Sequence, residues 1–152
     1  MKILFWQWHS FMGKGMERAL HRLNIAYDTF FYQMNDWESD DRFAEQLEKR
    51  ISQQAYDAVI SINFNPVISD VCQNYKLPYR AWVYDSPIHI RNVQALKNSY
   101  TKVYFLTVDR QKNIKDRESM PAICHWQQMW KHFIRLQLQK SIKRNMEQRF
   151  HW

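Results

Sequence analysis

Glycine is almost absent from this chain: Gly13 and Gly15 are the only two in 152 residues. A dinucleotide-binding fingerprint needs three glycines in fixed register, so "GKG" (13–15) falls short of one. Proline is scarce as well, at four, which with the two glycines excludes low-complexity and collagen-like sequence. The two cysteines, Cys72 and Cys124, fit no metal-ligand spacing; they are either bridged or, as is commoner for a lone pair in a cytosolic context, two free thiols. No apolar run reaches the roughly 18 residues that a membrane helix needs. The opening "MKILFWQWHS" lacks the long apolar core and small-residue cleavage site of a signal peptide, so the expectation is a cytoplasmic chain without a membrane span.

What is present is apolar and aromatic, at 45% and 16% of residues. The net charge is +7, but it is not spread evenly. Residues 107–152 hold ten Lys and Arg against four Asp and Glu, whereas residues 1–106 hold twelve against eleven. The basicity therefore belongs to the tail, and any inference about acidic partners stands or falls with it.

Residues 1–106 alternate between two periodicities. "KILFWQW" (2–8), "IAYDTFFYQ" (25–33), "YDAVISIN" (56–63), "YRAWVYD" (79–85) and "KVYFL" (102–106) are apolar runs of strand length. Between them lie helical patterns over 13–24, 39–54, 65–76 and 86–98. Ser39, Asp40 and Asp41 are cap candidates for the second, and Phe43, Leu47 and Ile51 share its apolar face. Asn65-Pro66 and Ser86-Pro87 each place a cap residue before a first-turn proline. The order βαβαβαβαβ with short links predicts an α/β fold, a doubly wound, Rossmann-like parallel sheet with Val59, Ile60, Ala81, Val83 and Val103 in its core.

Such sheets bind ligands beyond the carboxyl ends of their strands. Those ends read Trp8-His9-Ser10, Gln33-Met34-Asn35, Asn63-Phe64-Asn65 and Asp85-Ser86-Pro87. His9 and Asp85 are the catalytic candidates. His9 is either a general base or an ordinary rim histidine, and Asp85 either faces the ligand or caps the next helix. Trp8, Ser10, Gly13, Gly15, Asn63, Asn65, Ser86 and His89 are the substrate-binding candidates. "GKG" reads as a flexible turn that admits a ligand's backbone, with Glu17 in the first helical turn behind it. "YDAVISINFNP" resembles the third strand of response-regulator receivers, but Ile62 stands where those have a phosphate-accepting Asp. Trp8 and His9 replace their acidic pair, so no Mg²⁺ site is expected. No metal and no cofactor is assigned.

Taken in order, "MKILFWQW", "YDAVISINFNP", "YRAWVYDSPIH" and "KVYFL" resemble the N-terminal domain of bacterial glycosyltransferases of the spore-maturation (CgeB-like) group. "WVYDSP" carries most of the resemblance, which covers residues 1–106. It implies a two-domain GT-B enzyme in which this half forms the acceptor side of the cleft. The C-terminal half would hold a nucleotide-sugar, so donor and acceptor are partners of the full-length enzyme only. The resemblance assigns no catalytic residue here.

"AICHWQQMWKHFIRLQ" (122–137) breaks from this pattern. In the resembled family the fifth strand leads into segments like "FDRGQAEEYR" and "HLPLAANVEAF". Reading the tail's codons shifted, with each new codon taking one wobble base and the next two bases, restores that text. Met129 with Trp130 forces Val, and Trp130 with Lys131 forces Glu. The surrounding residues give A-[AT]-[ND]-V-E-[AT]-[FL]. One base missing near the codons of Phe105 and Leu106 accounts for the whole tail.

The expectation is therefore an acceptor-side glycosyltransferase domain over 1–106, inactive alone, with an out-of-frame tail over 107–152, helical or disordered, that packs poorly on the sheet. The alternative is a stand-alone α/β binding module. Its tail, with apolar Trp126, Met129, Trp130 and Phe133 and five Lys and Arg between 131 and 144, would then be a basic amphipathic helix contacting nucleic acid or membrane. A third reading is the nucleotide-binding domain of an oxidoreductase.

Overall fold

The computed structural model describes residues 1–10, 12–83 and 90–105, with the backbone alone described for Phe105. The expectations for Asp85, Ser86, His89, Cys124 and the tail lie outside the described residues.

The elements run β1 (Lys2–Gln7), α1 (Gly13–Arg22), β2 (Ala26–Phe31), α2 (Asp41–Gln53), β3 (Ala58–Ile62), α3 (Pro66–Asn74), β4 (Tyr79–Val83), a 3-10 helix (Val93–Lys97) and β5 (Thr101–Phe105). All strand pairs are parallel, in the order β2-β1-β3-β4-β5. The α/β, Rossmann-like arrangement is the one the alternating periodicity predicts.

The chain moves one way from β1 to β2 and the other way for every later crossover. With right-handed connections, that reversal puts α1 on one face and the later helices on the other. The side chains sort accordingly. Ile3, Phe5, Ala58, Ile60 and Ile62 pack with Met16 and Leu20 of α1. Leu4, Trp6, Val59, Ala81 and Val103 pack with Phe43 and Leu47 of α2 and with Ile68 and Val71 of α3. Ile3, Leu4, Phe5 and Trp6 are all fully buried, so β1 is covered on both faces. Each such side chain contributes about 1.5–3 kcal/mol. Ile60 and Val83, like the other expected core residues, are buried.

Local chemistry explains the helix boundaries. The Asp40 carboxylate accepts from Phe43 N at 2.9 Å, and the Asn65 side chain accepts from Ile68 N at 3.0 Å, so both are N-caps. A chain so poor in glycine ends α1 and α3 on other residues. Asn24 and Lys76 each take a left-handed φ of 52° just past the helix. The hydrogen bonds Asn24 N to His21 O, Ile25 N to Leu20 O, Lys76 N to Gln73 O and Leu77 N to Cys72 O close the same C-terminal motif twice.

Two expectations are corrected. A helix over 86–98 is not seen in its described part, where Ile90 to Asn92 are irregular and only Val93–Lys97 turns, as a 3-10 helix capped by Asn92. The reason is tertiary: the Glu38 carboxylate accepts from Arg91 N at 2.7 Å and Asn92 N at 2.8 Å. Those amides cannot also bond to carbonyls four residues back. "GKG", expected as a turn, is the first turn of α1 itself, and Glu17 lies beyond that turn, which contains no acidic residue.

Candidate functional site at the carboxyl ends of the strands

The order β2-β1-β3 makes the gap between the ends of β1 and β3 the topological switch point, where a ligand-binding crevice is expected. The loops 8–10, 32–39 and 63–65 meet there. What fills the gap is tryptophan. Trp8 Nε1 donates to Ile62 O at 3.1 Å and so ties the end of β1 to the end of β3. Trp37, from the β2–α2 loop, donates through Nε1 to Phe64 O at 3.0 Å. Trp6 Nε1 donates to Tyr32 O at 3.2 Å. The Trp37 ring lies 4.9 Å from that of Trp8, edge to face, and 5.1 Å from that of Trp6.

The polar rim read from the strand ends therefore needs correcting. Met34, Phe64 and Asn65 are buried rather than facing a ligand. Asn65 spends its side chain on structure: Oδ1 caps α3, while Nδ2 donates to Trp37 O at 2.8 Å and contacts Met34 Sδ at 3.1 Å. No polar atom of that side chain is left for a substrate. Asn63 holds a left-handed φ of 63°, a conformation asparagine tolerates, and its carbonyl accepts from Ser61 Oγ at 2.6 Å. Ser61 and Tyr79 share a 2.6 Å hydrogen bond, and the Tyr79 hydroxyl accepts from Asn65 N at 3.0 Å. This buried chain fixes the turn after β3, and burial pushes the Tyr79 phenol well above its ordinary range.

The other candidates are open to solvent or partly so. His9 is exposed, with its ring 5.2 Å from that of Phe31 at the end of β2. Ser10 is half-buried, its amide bonded to Trp8 O at 2.6 Å. Neither glycine is explained by backbone strain, since neither has positive φ. Nor does packing require them: an added Cβ would meet only Ser10 Oγ at 3.9 Å from Gly13 and Met12 Cε at 3.9 Å from Gly15. They leave the first turn of α1 bare, and no side chain caps it. Glu17 is held away by Gln7 Nε2 at 2.7 Å. The structure thus brings Trp8, His9, Ser10, Gly13 and Asn63 to one end of the sheet, and removes Asn65 from the reactive set.

Phe31 and Trp37 were missed by reading the sequence for polar groups. An isolated Trp in the polar loop "QMNDWESD" is the signal that was there, because an exposed indole in a loop is uncommon.

Among the described residues no three His, Cys, Asp or Glu side chains are grouped to hold a metal ion, and no helix is long and apolar enough to cross a membrane. Cys72 is a free, buried thiol, which burial pushes far above the usual range.

No family model and no curated protein matches the chain. Among solved structures, a GDP-L-fucose synthetase from Naegleria fowleri matches 69% of this chain at 13% identity and a TM-score of 0.40. The match covers 50% of that protein. A likeness of that degree identifies neither a reaction nor a ligand for this chain.

Proposed function

We propose that this chain is the acceptor-side half of a two-domain glycosyltransferase, followed by a tail read out of frame, and that it is inactive alone. The observation that carries the proposal is the forced Val-Glu in the shifted reading of Met129, Trp130 and Lys131, inside a segment that reads like the resembled family. The fold is compatible: the segments "MKILFWQW", "YDAVISINFNP", "YRAWVYDSPIH" and "KVYFL" contain β1, β3, β4 and β5 of one parallel sheet. In the joined enzyme His9 would face the cleft from the end of β1 as general base toward an acceptor hydroxyl, with Asp85, which follows the β4 segment in the sequence, as its counterpart. Transfer needs both reactants held within near-attack distance, and one wall of a cleft does not do that.

The gene decides between this and the second reading. Sequencing through the codons of Phe105 and Leu106 and beyond is expected to show the alternate frame open for a further domain. A closed alternate frame contradicts the proposal and leaves the stand-alone binding module. One feature favours that module: among the described residues, indoles already occupy the switch-point gap where a ligand would otherwise sit.

A further inference from the structure

Strand β2 ends the sheet, and among the described residues no strand lies beyond it. Natural edge strands are usually blunted by a lysine, a proline, a bulge or a covering element. This one has none of the first three. Residues 25–33, "IAYDTFFYQ", contain no Lys, Arg, Pro or Gly. The register against β1 runs unbroken from Lys2–Ala26 to Gln7–Phe31. Nor do the described residues cover the strand: Ala26, Thr29, Phe31 and Gln33 are exposed, and Phe31 is 56% exposed. The only ionisable carboxylate on the strand, Asp28, is already matched by Lys2 Nζ at 2.9 Å and the Tyr56 hydroxyl at 2.7 Å.

The outward backbone groups can be identified. Tyr32 N donates inward, to Gln7 O of β1. Along a strand the direction alternates, so Phe30 and Asp28 also point inward, and Tyr27, Thr29 and Phe31 present their N–H and C=O groups outward. Thr29 is the centre of that outward set. A two-fold axis through Thr29 would put Thr29 opposite Thr29, and Tyr27 opposite Phe31, in antiparallel pairing. All three become hydrogen-bonded pairs of the antiparallel ladder. The cross-strand neighbours are then Thr–Thr and aromatic–aromatic, both favourable combinations. Asp28 falls opposite Phe30 rather than another Asp28, so no like charges meet.

We infer that β2 is a self-association surface that pairs antiparallel with β2 of a second copy of this chain about a two-fold axis at Thr29, making one continuous sheet. This is independent of the proposed sugar chemistry, because it uses only the sheet edge. Pairing of one short strand buries less than the roughly 1,200 Å² of a standard stable interface, so the dimer depends on concentration. A two-fold pairing uses each β2 edge once and therefore closes at two copies.

The test is sedimentation velocity of the full chain from about 1 to 200 µM, the range in which a micromolar dimer dissociates. The wild type is expected to shift from monomer to dimer. Thr29→Pro removes an outward N–H and no bond to β1. Thr29→Lys places two cations opposite each other across the axis. Both are expected to weaken the dimer about tenfold or more, with circular dichroism unchanged, whereas Thr29→Val retains it. Thr29→Lys alters an exposed side chain, so it remains informative if the proline variant fails to fold. A wild type that stays monomeric, that forms only open-ended aggregates, or whose dimer survives Thr29→Lys overturns the inference.

Discussion

The indole of Trp37 stands edge-on to that of Trp8, ring centroids 4.9 Å apart and planes at 80°, and the two donate to carbonyls on either side of Asn63. The turn after β3 is thus clamped at Ile62 and at Phe64. Asn63 sits between them with positive φ. The clamp joins three loops that are far apart in sequence, so it makes the rim one packed unit.

Trp37→Ala should therefore cost more than its half-buried position suggests. It removes contacts to Trp6 and Trp8 and leaves the Phe64 carbonyl without its donor. The expected loss is about 2–3 kcal/mol. Trp8→Phe keeps most of the ring and loses only the bond to Ile62 O, for about 1 kcal/mol. Urea titration followed by far-ultraviolet circular dichroism checks both.

Asn65 is expected to matter for stability alone. Asn65→Ala removes the α3 cap and the donor to Trp37 O, and should cost about 2–3 kcal/mol. Asn65→Asp keeps an acceptor for Ile68 N but sets a buried carboxylate oxygen against Trp37 O, so it too should lose stability at pH 7 and regain part of it on acidification, when the protonated carboxyl can donate to that carbonyl. An aspartate variant as stable as the wild type at pH 7 would show that the bond to Trp37 O contributes nothing.

Lys76 is held in a left-handed conformation that costs an ordinary residue about 1–2 kcal/mol. Lys76→Gly should stabilise by about 0.5–1 kcal/mol, net of the extra freedom glycine gives the unfolded chain. A thermal melt that falls rather than rises contradicts the assignment of Lys76 as the α3 terminator.

Asp28 gives the fold an acid-sensitive contact. Its bond to Lys2, then that to Tyr56, holds its carboxyl below the ordinary range. A carboxyl lowered on folding contributes stability that is present above its unfolded pKa, about 3.9, and is lost as pH falls through its folded value. Asp28→Asn should lower stability at pH 7 by on the order of 1 kcal/mol, allowing for solvent screening, and flatten the decline below about pH 4. Denaturant midpoints from pH 2 to 7 for both proteins test this. Unchanged curvature in the variant would rule Asp28 out as the titrating group.

The inner strands β1 and β3 were legible because they are buried on both faces and so read as unbroken apolar runs, "KILFW" and "AVISI". The cap of α3 was legible because Asn-Pro is a local signal. What the sequence hid depends on partners distant along the chain. Glu38 takes the amides of Arg91 and Asn92 and so keeps these two residues out of the helix that the Ser-Pro pattern favours. Trp37 reaches the turn after β3 across 27 positions of sequence and turns a polar rim into an aromatic one. Polar strand ends are ambiguous for the same reason, since Asn65 has the composition of a ligand-facing residue and serves the backbone instead. His9, the one catalytic candidate among the described residues, is exposed just past the end of β1.

The most direct measurement is sugar transfer itself. The gene with the missing base restored near the codons of Phe105 and Leu106, and with the downstream frame appended, is to be expressed beside the 152-residue chain. Both are then incubated with a panel of nucleotide-sugars, and release of the nucleoside diphosphate is followed. The account predicts turnover by the restored protein, reduced by His9→Ala and by Asp85→Asn, and none by the chain as it stands. Turnover of a nucleotide-sugar by the 152-residue chain, or none by the restored protein, would contradict it.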